Sequence, residues 1–133
     1  HWAAHKLEQL SDYKLRHGEA VAIGIALDCL YARNIGLLKR EVAERILSLI
    51  MRLGFDLYSS ELLHTSTQGS LLVMDGLEEF REHLGGEFTI TLLEDVGRGV
   101  EVHEVQSPAM LAAIHELEKR QGSPEILRLS QGQ

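Results

Sequence analysis

Three of the seven histidines in this 133-residue chain fall within its first seventeen positions, at His1, His5 and His17. His1 and His5 stand four apart, the spacing that sets two side chains on one face of a helix. His17 follows at the mouth of a second, apolar run, beside Gly18 and Glu19. Two helices meeting there bring three imidazoles together. Neutral imidazole is a common ligand for zinc-like metals, and a catalytic zinc keeps about three protein ligands and one open position. The same spacing also describes an ordinary helix face that carries two histidines. No HExxH word is present, and no CxxC closes a structural zinc site.

The elements that must position these residues can be read from the apolar pattern. Residues 1 to 10 form a short helix or a helix end with Trp2, Leu7 and Leu10 as its apolar members, and 11 to 16 is a polar connector. Gly18 to Arg33 is apolar on nearly every face, the mark of a central, buried helix. Gly24 inside it costs about 1 kcal/mol of helix propensity relative to Ala, which close approach of a neighbour would explain. Glu19 suits the positive end of this helix, and is equally placed to hold a neighbouring imidazole in orientation. Lys39 to Leu53 repeats Val42, Ile46, Leu49, Ile50 and Leu53 at steps of three and four, and Gly54 is its stop. A short helix is expected from Ser59 or Ser60 to Leu63, a surface loop over 64 to 70, and a helix over 71 to 84 weakened by Gly76. Two strands are expected at 87 to 93 and 100 to 105, forming a hairpin that must lie against the helices. Ser107-Pro108 opens a last helix with Met110, Leu111, Ile114 and Leu117 as its apolar face. The fold class that follows is mainly α, a multihelical domain over 1–121 with one small β-hairpin, ending in a polar tail over 122–133.

Bulk composition narrows the partners. With 13 Lys and Arg against 20 Asp and Glu the net charge is −7, which argues against nucleic acid or an anionic membrane as partner. A phosphorylated small molecule needs only a few local cations and stays admissible. The one cysteine, Cys29, lies in the apolar helix and reads as a small buried hydrophobe rather than a nucleophile. It permits no internal disulfide and fits a reducing, cytoplasmic setting. The apolar run from Ala20 is broken by Asp28 and Arg33, short of the ~20 residues that span a bilayer.

HWAAHKLE followed by LRHGEAVAIGI resembles the two signatures of the dehydroquinate synthase family, which usually read GHTFGHAIE and LLHGEAVAIGM. The match runs over His1, His5 and Glu8, then Leu15 and His17 through Gly24. The interval between the two motifs also agrees, and the later ARNIGLL, Ala32 to Leu38, resembles the family's ARxLGLI. The likeness is good over residues 1 to 55 and weaker over the hairpin. It implies a sugar phosphate cyclase, a lyase of the shikimate route to aromatic amino acids, working with bound NAD and zinc or another divalent metal such as cobalt. It further implies that His1 and His17 are metal ligands, completed by a glutamate from an earlier domain. His5 maps to the family's further active-site histidine, tied to substrate phosphate and proton transfer. The NAD-binding half precedes this stretch in the family. The chain is therefore expected to be the C-terminal portion of a longer, homodimeric enzyme, and to bind metal weakly and be inactive alone.

The sequence departs from the family at two places. A DKK segment usually precedes the hairpin, one lysine reaching the substrate; here the stretch reads Phe80-Arg81-Glu82-His83-Leu84, leaving Arg81 or His83 as candidate substrate cations. Trp2-Ala3-Ala4 replaces Thr-Phe-Gly, setting a bulky ring beside His1. Both changes bear on the substrate, so a cyclase acting on another sugar phosphate, such as a heptulose 7-phosphate, is the alternative. Metal-dependent alcohol dehydrogenases share the layout but lack the HGEAVAIG word. A non-catalytic helical binding module need not keep all three histidines.

Overall fold

A computed structural model describes residues 1–83 and 85–121, with no account of the side chains of Glu82 and His83. In chain order it holds α1 (Trp2–Leu10), α2 (His17–Asn34), α3 (Arg40–Arg52), two 3-10 turns (Ser60–Leu63 and Leu72–Met74), α4 (Asp75–His83), β1 (Ile90–Asp95), β2 (Arg98–Val102) and α5 (Ser107–Gln121). The mainly α architecture with a single hairpin is as the sequence pattern requires. The expected tail, 122–133, lies outside the described residues.

The hub is α2. α1, α3, α5 and β1 all pack on it, and ten of its residues, from Ala20 through Ala32, are buried. A helix without a polar stripe is stable only when neighbours cover every side. Gly24 faces α1, where an added Cβ would lie 3.7 Å from the Ala4 nitrogen, an ordinary contact. Close helix packing therefore accounts for the small residues on both helices. Cys29 is buried in the same core, and burial pushes its thiol pKa up to about 12, which fits the hydrophobe reading.

The far end of α2 is tied down by charge. Arg33 donates to Glu116 on α5 (Nη1 to Oε2, 2.9 Å), and Arg120 of α5 donates both to Glu116 (2.9 Å) and to Glu44 of α3 (3.0 Å). The shared guanidinium partners hold both carboxyls below the ordinary glutamate pKa. Tyr31, 1% exposed, accepts the Gln106 backbone N–H on its hydroxyl at 2.9 Å, so its one polar atom is partnered.

Several elements differ from their sequence-predicted bounds. In α3 the buried residues are Ala43, Leu47 and Ile50, whereas Leu49 and Leu53 are exposed. An apolar spacing names a stripe, and the neighbour's position chooses which edge of it is covered. The helix stops as expected: Gly54 (φ +94°) donates to the Met51 carbonyl and Phe55 to that of Ile50. The hairpin strands sit at 90–95 and 98–102, because the turn has shrunk to Val96-Gly97 and the register slips between Leu93 and Asp95. Ile90 and Leu92 of β1 are the buried positions of the pair.

Gly76 does not weaken its segment; it lets α4 approach α1. A Cβ there would lie 3.0 Å from the Lys6 Cβ and 3.2 Å from the Trp2 carbonyl oxygen. The contact is locked by Lys6 Nζ donating to Glu79 at 2.7 Å. Gly76→Ala is expected to destabilise the protein by about 1 kcal/mol, the steric cost exceeding the gain in helix propensity. Urea unfolding measures it, and an unchanged or raised midpoint would contradict the close approach.

Candidate metal and substrate site

The site is built on the two helix starts. His1 immediately precedes α1, and its carbonyl accepts the His5 N–H at 3.2 Å; His17 is the first residue of α2. The connector returns the chain in a tight bend with Asp12 and Tyr13 both at positive φ (54° and 60°). Buried Ser11 braces it, its Oγ donating to the Glu8 carbonyl (3.1 Å) and accepting from the Leu15 N–H (3.2 Å).

This bend brings the three imidazoles together. Ring centroids are 5.8 Å apart for His1 and His17, which stack at 13°, 6.1 Å for His1 and His5, and 6.2 Å for His5 and His17. Two imidazoles on one tetrahedral ion with Zn–N near 2.0–2.1 Å put their centroids on the order of 5 Å apart. The His1–His17 centroids, at 5.8 Å, are wider than that, so two-imidazole binding of one ion needs the side chains to move closer. Among the described residues, no group of three or more His, Cys, Asp or Glu side chains is placed to hold a metal ion.

The carboxylate facing the rings is Glu8. One oxygen is 3.0 Å from His17 Nδ1 and the other 3.5 Å from His5 Nδ1. Glu19 is engaged elsewhere: it accepts the Arg16 backbone N–H at 2.9 Å, reciprocating at the helix start. Glu19 Oε1 thus serves the helix start, and the carboxylate within reach of His5 and His17 is Glu8. Sequence reasoning placed Glu8 in the motif without a task, although its spacing of three from His5 was the available signal.

Trp2 turns inward and is 3% exposed. Its indole N–H donates to Asp28 on α2 at 3.0 Å. Burial pushes the Asp28 carboxyl up to about 6, against the opposing effect of the indole hydrogen bond. Together with His1, Phe80, Thr89, Ile90 and Thr91 the pair lines a cavity of about 260 Å³. Asp28 was read from the sequence only as a break in an apolar run; a lone acid in an otherwise buried helix was its signal.

Of the candidate substrate cations, Arg81 lines a groove that contains none of the three site histidines. Arg81 donates to Glu78 of its own helix (Nε to Oε1, 3.1 Å) and lines an open groove with Phe88, His103 and Val105. His83 ends α4, and its side chain lies outside the described residues. His103 is exposed on the hairpin side, with Nδ1 3.0 Å from the Phe88 carbonyl, as a surface histidine should be. Among the described residues no helix is long and apolar enough to cross a membrane.

A family model described as 3-dehydroquinate synthase C-terminal matches residues 1–75, which contain all three site histidines and Glu8. The chain is 31% identical over 100 residues to a 3-dehydroquinate synthase of Clostridium perfringens, covering 74% of this chain and 27% of that protein. It is 31% identical over 116 residues to that of Chlorobium chlorochromatii (86% and 32%), and 35% identical over 98 residues to that of Aeropyrum pernix (74% and 26%). It thus spans about a quarter to a third of the length of these relatives. The matched segment, its paired histidine motifs and the helical fold they start agree, and the chain belongs to the 3-dehydroquinate synthase C-terminal family.

Proposed function

We propose that residues 1–121 are the metal- and substrate-binding part of a 3-dehydroquinate synthase-like sugar phosphate cyclase. The full protein is an NAD-dependent, homodimeric, cytoplasmic lyase that eliminates phosphate and closes a carbocycle. The observation that carries this reading is the convergence of His1, His5 and His17, with centroids 5.8–6.2 Å apart, inside the family-matched segment.

In this reading His1 and His17 hold the divalent ion, zinc or cobalt, and NAD is bound mainly by residues beyond this chain. The ion supplies Lewis acidity, lowering the pKa of a substrate hydroxyl and fixing it for hydride transfer. His1 and His17 keep their stacked arrangement and direct the open side of the site toward the substrate. His5, 64% exposed at its side chain, is open to the substrate side to accept and return a proton. The apolar α2 behind them excludes water from the rear of the site.

A second reading, a cyclase for another sugar phosphate, draws on specific observations. No lysine stands in the stretch before the hairpin, and Arg81 is paired with Glu78. The cavity beside His1 is lined by a carboxylate and two threonines, which suits substrate hydroxyls better than an acidic group. Phosphate release from a panel of seven-carbon sugar phosphates, using full-length protein with NAD and zinc, tests both readings. Release from the acidic dehydroquinate precursor supports the first. Release only from a neutral heptulose phosphate supports the second, and release from neither sinks the cyclase assignment.

A further inference from the structure

We infer that Glu8 is the positioning residue of this site, the carboxylate that sets the tautomer of His17 and lies beside His5. The inference rests on the reading of His17 as a metal ligand. A carboxylate accepts and does not donate when ionised. Its 3.0 Å approach to His17 Nδ1 therefore places the ring proton on Nδ1 and leaves the Nε2 lone pair for a metal. The second oxygen lies 3.5 Å from His5 Nδ1, a charge contact rather than a formed hydrogen bond. Both rings are more than half exposed at their side chains (His5 64%, His17 59%), whereas Glu8 is only 15% exposed. The rings alone have little packing to fix them, and the anchored carboxylate does so.

The placement of Glu8 follows from local geometry. It lies three residues after His5 on α1, hence on the same face. It is nine residues before His17, a distance closed by the Asp12-Tyr13 bend. The bend is itself tied to Glu8, whose carbonyl accepts from Ser11 Oγ and from the Tyr13 N–H. Residue 8 thus holds the connector with its backbone and His17 with its side chain. Partners of this kind hold metal-ligating histidines in orientation and raise their basicity.

The test uses the full-length protein with ¹⁵N-labelled histidine, in the metal-free state and in a zinc titration against a competing chelator. In the unaltered protein, His17 nitrogen shifts are expected to report the Nδ1–H tautomer. Glu8→Ala is expected to move His17 toward the Nε2–H form and to weaken zinc binding about 10–100-fold. Glu8→Gln, similar in size and still able to accept from His17 Nδ1 through its amide oxygen, is expected to restore the parent His17 tautomer. A His17 tautomer that is the same in Glu8→Ala and Glu8→Gln as in the parent overturns the inference, as does zinc affinity changed less than twofold in both. If the parent binds no zinc, the metal reading fails, and the metal-free tautomers still decide the role of Glu8.

Discussion

Replacing His17 by alanine in the full-length protein is expected to lower zinc affinity by more than about 100-fold and to abolish phosphate release with it. The magnitude follows by comparison: deleting a residue that only orients a ligand costs about 10–100-fold, so deleting the ligand itself costs more. Stability should barely move. The His17 side chain is 59% exposed and its hydrogen-bond partner is Glu8, and surface substitutions of this kind stay within about 0.5 kcal/mol. The matched control is His115→Ala, an exposed histidine on α5, which should leave both metal content and turnover unchanged. Metal content measured on the purified variants gives the answer. His17→Ala retaining zinc as the parent does, with an unchanged melting temperature, would remove His17 from the ligand set.

Asp28→Asn is expected to stabilise the protein by about 2–3 kcal/mol at pH 7.5, and by nearly nothing at about pH 3. The folded-state pKa of about 6 lies above the ordinary aspartate value of 3.8 because burial disfavours the charge. The protonated form is therefore favoured in the folded state. Below about pH 3 the group is protonated in both folded and unfolded chains and costs nothing. As pH rises from about 4 to about 6 the unfolded chain ionises first, and stability falls with one pKa unit equal to about 1.4 kcal/mol. Above pH 6 the cost is constant. The asparagine amide oxygen still accepts from the Trp2 indole, so the hydrogen bond survives while the buried charge is gone. Glu44 and Glu116, whose pKa values are lowered, act in the opposite sense at acid pH. The comparison is therefore variant against parent at each pH, by urea unfolding. A difference between the two proteins that stays flat from pH 4 to 7.5 would show that Asp28 carries no burial cost.

An energetic cost retained at such a place fits a polar group kept for the cavity it lines beside His1. The Trp2–Asp28 pair lines the cavity beside His1, and Glu8, in the last turn of α1, faces His5 and His17.

What the linear chain determined by itself is what depends on local spacing. The largely apolar composition of 18 to 33 marks a buried hub, since a helix apolar on nearly every face needs neighbours to cover it. The paired histidines, the glycine stop at Gly54 and the Ser107 helix start are likewise effects of residues within one turn of each other. Tertiary structure decided what joins residues distant in sequence. Glu8 rather than Glu19 meets the imidazoles because the positive-φ bend at Asp12 and Tyr13 folds α2 back past α1. Trp2 points at Asp28, 26 residues away, rather than out over His5 and His17. Leu47 is covered and Leu49 is not, and Gly76 is a contact surface instead of a weakness. In each case residue type and period allowed more than one partner, and the crossing of two helices selected one.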